Sequence, residues 1–190
     1  PCEPGYFQPN PGQGHCLEAE PGNFVEGTGS ADQSPCPPGT FSNESGASDN
    51  SVCTPVQPGN YSGAGSSEPL PCLPGTYQPE PGQEYCLEAD PGHFVPNSSS
   101  VTQSACLLGT FQNESGMDAC KNAHLGNYSD SLGSSVQTPC AENKTTVNPG
   151  ASSRESCVSS PGGYASEDGG YVPCEPGYFQ PNPGQGHCLE

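Results

Sequence analysis

The sequence predicts an all-β, small disulphide-rich fold: an elongated tandem array of short β-hairpin modules with little or no helix. Three observations carry that expectation. The 190 residues include only 24 Leu, Val and Phe and no Ile, too few for the core of an ordinary domain. Gly and Pro are abundant, at 26 and 24 residues, so turns must be frequent. Twelve cysteines recur at regular spacing, which is how small domains with too little apolar surface are held together.

The modules follow from self-comparison. Residues 1–18, PCEPGYFQPNPGQGHCLE, recur letter for letter at 173–190, so the chain is back at its starting text by Pro173. That identity predicts a unit, residues 1–172, that continues into further copies of itself. Within the unit, Cys2, Cys36, Cys72, Cys106, Cys140 and Cys174 mark a near-constant step. A motif at about half that step is Pro-Gly-x-aromatic with a second Gly seven positions after the first. It reads Gly5-Phe7-Gly12, Gly22-Phe24-Gly29, Gly39-Phe41-Gly46, Gly75-Tyr77-Gly82, Gly109-Phe111-Gly116 and Gly126-Tyr128-Gly133, and Gly162-Tyr164-Gly169 continues it. Five modules of two half-modules each therefore fill the unit: 1–35, 36–71, 72–105, 106–139 and 140–172, with 173–190 opening the next copy. The fifth is degenerate. Asn143 and Thr145 stand where Gly and the aromatic belong, and without its aromatic this module is expected to pack least well.

Each half-module reads as a short hairpin, with Pro-Gly setting a turn, two or three β-favouring residues following, and the second Gly reversing the chain. No window shows helical periodicity over three turns. The expected staples are Cys2–Cys16, Cys36–Cys53, Cys72–Cys86, Cys106–Cys120, Cys140–Cys157 and Cys174–Cys188, each tying the arms of one hairpin across its tip. The alternative set, Cys16–Cys36, Cys53–Cys72 and onward, stays open on spacing. Structural zinc wants cysteines two to four residues apart. The closest cysteines here, such as Cys2 and Cys16, are much further separated, so no metal is expected.

The strings Cys36-Pro37-Pro38-Gly39-Thr40-Phe41 and Cys72-Leu73-Pro74-Gly75-Thr76-Tyr77 resemble the ephrin-receptor-like cysteine-rich repeat, a relative of growth-factor-like and tumour-necrosis-factor-receptor-like modules. The resemblance covers nearly the whole chain and implies small, disulphide-bonded extracellular modules in tandem, similar to those of long microbial and algal surface fibres. The chain departs from that pattern where the repeat usually has Cys-x-x-Cys, with Cys16-Leu17-Glu18-Ala19 and Cys86-Leu87-Glu88-Ala89 instead. Staple density is thus about half of what the resemblance implies.

Composition also excludes functions. With 21 acids against Lys121, Lys144 and Arg154, the net charge is −18, which argues against phosphate backbones as partners because those require clustered cations. The cysteines require an oxidising compartment, extracellular or at the cell surface, and no apolar run spans a bilayer. No Ser, His and Asp set recurs, and no cysteine is left over as a nucleophile, so the chain is not expected to be an enzyme. The acid groupings Glu18 with Glu20, Glu88 with Asp90, and Glu167-Asp168 raise calcium as a ligand. Without an Asp-x-Asp-x-Asp-Gly loop, a solvated acidic face is the better reading, and no cofactor is expected.

Six Asn-x-Ser/Thr sequons mark the expected modification sites: Asn43, Asn60, Asn97, Asn113, Asn127 and Asn143. Asn43 and Asn113 share a repeat position, as do Asn60 and Asn127, so a coat of covalent glycans is expected. Strand alternation would turn Asn60 and Asn127 outward beside inward Tyr61 and Tyr128. These features point to a structural subunit of an extracellular glycosylated filament, with further copies of itself as partner. The alternative is the stalk of a cell-surface adhesin or receptor ectodomain.

Overall fold

The computed structural model describes residues 1–141, 144–159, 164–167, 170–181 and 187–190. The described residues form ten two-stranded antiparallel sheets and two single-turn 3-10 helices. Strands are short, because each hairpin needs only the two residues that follow its Pro-Gly turn. Tyr6–Phe7 pairs with Leu17–Glu18, Asn23–Phe24 with Ser34–Pro35, Thr40–Phe41 with Thr54–Pro55, and Asn60–Tyr61 with Leu70–Pro71. Thr76–Tyr77, His93–Phe94, Thr110–Phe111 and Asn127–Tyr128 pair likewise with Leu87–Glu88, Ser104–Ala105, Lys121–Asn122 and Thr138–Pro139. The returning arm thus lies just before the next Pro-Gly turn, and the second Gly of each motif sits within the connecting loop.

Two half-modules depart from the strict seven-position rule. Gly59-Tyr61 has its second glycine only six positions on, at Gly65, and Gly92-Phe94 has Ser99 in place of one. Ser99 adopts φ of 54°, the one positive φ among described non-glycine residues. The backbone requirement survives there although the residue suited to it does not.

The chain divides into two compact units, Pro1–Glu88 with Asn97–Thr102, and Ala89–Pro96 with Gln103–Glu190. In the first unit, successive half-modules are joined by the same three backbone hydrogen bonds. The turn glycine donates forward to the carbonyl three residues past the next turn glycine: Gly5 to Val25 at 2.8 Å, Gly22 to Ser42 at 2.7 Å, Gly39 to Ser62 at 2.8 Å. The residue three after that glycine also donates forward, as in Gln8 to Ser30, Val25 to Ala47 and Ser42 to Ser66. The second glycine donates back, as in Gly29 to Cys2, Gly46 to Ala19 and Gly65 to Cys36. The second unit repeats the triplet at Gly92 to Gln112, Val95 to Met117 and Gly116 to Ala89, and again at Gly109 to Ser129, Gln112 to Ser134 and Gly133 to Cys106. Each joint therefore satisfies backbone groups that two-residue strands leave unpaired.

Within a unit these joints bring a half-module against the next but one. A Cβ on Gly39, at φ of +80°, would overlap the Gly82 carbonyl oxygen, and one on Gly22 would overlap that of Gly65. With backbone packed on backbone, only slim columns of side chain remain inside. One column holds the residue three before each turn glycine: Cys2, Ala19, Cys36, Val56 and Cys72, then Ala89, Cys106 and Ala123 in the second unit. The other holds the residue three after it, including Val25, Ser42, Ser62 and Gln78, then Val95, Gln112 and Ser129.

The buried polar members of the second column are hydrogen-bonded, as burial requires. The Ser62 hydroxyl donates to Thr40 O at 3.0 Å and that of Ser129 to Thr110 O at 2.9 Å. The Gln112 amide donates to Ala119 O at 2.8 Å and accepts from Glu114 N. The fold thus rests on hydrogen bonds and staples more than on apolar burial.

The fifth module keeps a stapled hairpin without the aromatic. Thr145 and Thr146 are both buried, and Lys144–Thr146 pairs with Cys157–Ser159 over three residues instead of two. A buried threonine fills the place of the missing aromatic. The Thr146 hydroxyl accepts from Gly126 N at 3.1 Å, where other joints use a backbone carbonyl. Glu142 and Asn143 lie outside the described residues. The next hairpin, Tyr164–Glu167 with Gly170–Pro173, runs four residues per arm to the pair Glu167↔Gly170. That register is unlike the others; Gly162 and Gly169 lie outside the described residues.

Candidate functional site

The chemistry built most often into this chain is the staple at the mouth of each hairpin. Six disulphides join Cys2–Cys16, Cys36–Cys53, Cys72–Cys86, Cys106–Cys120, Cys140–Cys157 and Cys174–Cys188. The first cysteine lies three residues before the turn position, in the buried column for Cys2, Cys36, Cys72 and Cys106 and half-buried for Cys140 and Cys174, and the second lies at or just before the returning arm. The bond therefore fastens the entry to the hairpin's return, and does not cross its tip as the sequence suggested.

The two sequence separations, 14 and 17, go with different loops. In the shorter ones a glutamine three past the turn glycine reaches the carbonyl preceding the second cysteine: Gln8 to His15, Gln78 to Tyr85 and Gln112 to Ala119, all at 2.8 Å. In the longer ones Ser42 or Thr146 occupies that position. A 3-10 turn, Asn50–Val52 or Arg154–Ser156, takes up the extra residues before Cys53 or Cys157.

Three half-modules without cysteine use a second device, which the sequence reading missed. A glutamine stands at the register of the second cysteine and accepts from the backbone N–H two before the turn glycine. Gln33 accepts from Glu20 N at 2.8 Å, Gln103 from Asp90 N at 2.7 Å, and Gln137 from His124 N at 2.7 Å. Its amide also donates to the side chain there, Glu20 at 3.3 Å and Asp90 at 2.6 Å, or pairs with the His124 ring at 3.0 Å. The signal was present in the sequence, since Gln103 and Gln137 stand one module period apart, as Cys106 and Cys140 do. The Gly59 half-module has Pro69 at this place and so carries neither device.

The clamps also account for two of the acid groupings. The Glu20 and Asp90 carboxylates accept from the amides of their glutamines. Among the described residues no three His, Cys, Asp or Glu side chains gather as metal ligands would. The Glu167 side chain and Asp168 lie outside the described residues. Asp49 is held below the ordinary carboxylate range by the Ser51 hydroxyl and then the Ser51 backbone N–H, the latter at 2.8 Å. It thereby caps the 3-10 turn at Asn50.

The sequons separate into two kinds. Asn43, Asn97 and Asn113 are exposed. Asn60 and Asn127 are half-buried, and their amide nitrogens donate to backbone carbonyls, Asn60 to Pro58 and Asn127 to Leu125 at 3.2 Å. Neither side of these arms is fully open: Asn60, Tyr61, Asn127 and Tyr128 are all half-buried, and the two asparagine amides fold back onto carbonyls of their own turns. Asn143 lies outside the described residues.

Residues 173–190 reproduce local features of residues 1–18. Phe179 bridges Leu189 as Phe7 pairs with Leu17, and Gln180 donates to His187 O as Gln8 does to His15 O. No helix among the described residues is long and apolar enough to cross a membrane. No protein-family model matches the chain, and no curated protein is significantly similar to it.

Proposed function

We propose that this chain is part of an extracellular structural filament, built from tandem disulphide-stapled hairpins, clothed in N-linked glycans and partnered by further copies of itself. It acts without catalysis and without a cofactor. One observation carries the reading: the same three-bond backbone joint recurs from half-module to half-module in both units, so one stapled hairpin is fastened to the next by backbone groups that any copy of the repeat carries. The return of residues 1–18 at 173–190 supplies the next one. Stability in such a solenoid is a sum over neighbours, which suits a load-bearing array of open length. Six disulphides and no free cysteine fit an oxidising compartment, and a surface of net charge −18 resists non-specific association.

The test is to secrete one, two and four tandem copies of residues 1–172 from a eukaryotic host and measure the radius of gyration by X-ray scattering. A filament segment grows nearly in proportion to copy number. A compact chain gains only about 1.3-fold per doubling, and that outcome refutes the reading.

A further inference from the structure

We propose that the groove beside Phe111 is the seat of the N-linked sugar carried by Asn113. This rests on the glycosylated reading above and adds a defined intramolecular site to it. The groove is lined by Phe111, Asn113, Lys121, His124, Val136 and Gln137, and its volume of about 490 Å³ lies within the range of small-ligand clefts. Residues i and i+2 of an extended segment share a face, so Phe111 and Asn113 lie on one side while Gln112, between them, is wholly buried in the core column.

The Asn113 carboxamide is already oriented. Lys121 Nζ, opposite Phe111 in the hairpin register, donates to Asn113 Oδ1 at 3.2 Å and pairs with Glu114 at 3.4 Å. Oδ1 is thus held, and Nδ2 donates to nothing among the described residues. The amide nitrogens of Asn60 and Asn127, by contrast, are engaged by backbone. Transfer forms the Nδ2–C1 bond as the C1–O bond to a lipid-linked diphosphate donor breaks. The lipid diphosphate leaves, and Nδ2 gives up one proton to a base of the transferase.

The floor of the groove suits a sugar. The His124 ring meets Phe111 edge-on with centroids 5.7 Å apart, which leaves the exposed imidazole facing the groove. Val136 is 68% exposed and lines the groove beside His124 and Gln137. Ring faces attract the polarised C–H bonds of a pyranose, and the valine gives its N-acetyl methyl an apolar contact.

The full chain, secreted from a eukaryotic host, is compared with Val136→Ser by intact-glycopeptide mass spectrometry and by NMR of the N-acetyl methyl groups. The expected result is an occupied Asn113 whose first N-acetyl methyl shows contacts to Val136 and His124 protons and an upfield shift relative to the proteolysed glycopeptide. In Val136→Ser the contact and the shift are lost at unchanged occupancy. An occupied Asn113 whose methyl matches the proteolysed glycopeptide overturns the seat and leaves the glycan coat standing. An unmodified Asn113 beside occupied Asn43 and Asn97 also overturns the seat, and absence of glycan at all three removes the coat as well.

Discussion

The glutamine clamps predict where a new staple will fit. Ala19 and Gln33 occupy the positions that Cys2 and Cys16 hold in the preceding half-module, and Ala19 is as fully buried as Cys36, Cys72 and Cys106. The double substitution Ala19→Cys with Gln33→Cys should therefore close a seventh disulphide without moving the backbone. A loop near 15 residues is worth about 3 kcal/mol by the chain-entropy estimate. Against this stands the lost clamp, whose exposed hydrogen bonds to Glu20 N and the Glu20 carboxylate are worth about 1 kcal/mol. The net gain is about 2 kcal/mol, or roughly 4–8 °C in Tm for a chain of this size. Non-reducing peptide mapping should recover residues 19 and 33 in one linked fragment. Thermal unfolding should place the variant above an Ala19→Ser, Gln33→Ser control, which lacks both clamp and bond. If the introduced thiols stay free, or link to Cys16 or Cys36, the two positions are not equivalent and the clamp is not a substitute for the disulphide.

Other substitutions test the joints and turns. Gly39→Ala should cost more than about 3 kcal/mol, since αL strain of about 1–2 kcal/mol adds to overlap with the Gly82 carbonyl. Gly12→Ala, with a similar φ of +77° and nothing within 4 Å, should cost only the strain, and equal losses of Tm in the two would disprove the close packing. In an Asn97→Gln background, which removes the sequon that Ser99 completes, Ser99→Gly relieves the one strained non-glycine turn among the described residues and should stabilise by about 1 kcal/mol, measurable as slower exchange of the amide at that position, which in the native chain donates to Cys72 O. Acid should loosen the 3-10 turn. Because Asp49 has a depressed folded pKa, its contribution is complete above the unfolded value near about 3.9 and is lost as pH falls through the folded value. Amide exchange at Ser51 and Val52 should rise across that low-pH window in the native chain but not in Asp49→Asn, and equal acid responses in both would exclude Asp49 as the cause.

The sequence by itself determined the class of this protein. Periodic cysteines, Pro-Gly turns and a scarcity of apolar residues admit few solutions besides stapled hairpins in tandem, because each of these properties acts locally along the chain. The Cys intervals, the arms starting at Tyr6 or Thr40, and the exposure of Asn43 and Asn113 follow from neighbours within the same half-module. What only the tertiary structure decided involves groups brought together from further apart or judged against packed backbone. The approach of Gly39 to Gly82 links positions more than one module apart and turns glycine from a turn-former into a packing requirement. Thr145 is buried where the aromatic stands in other half-modules, which depends on the packing around it and is not stated by the sequence. Strand alternation alone did not anticipate that Asn60 and Asn127 are half-buried with their amides bound to turn carbonyls, because in a two-residue arm the turn beside it competes for the side chain.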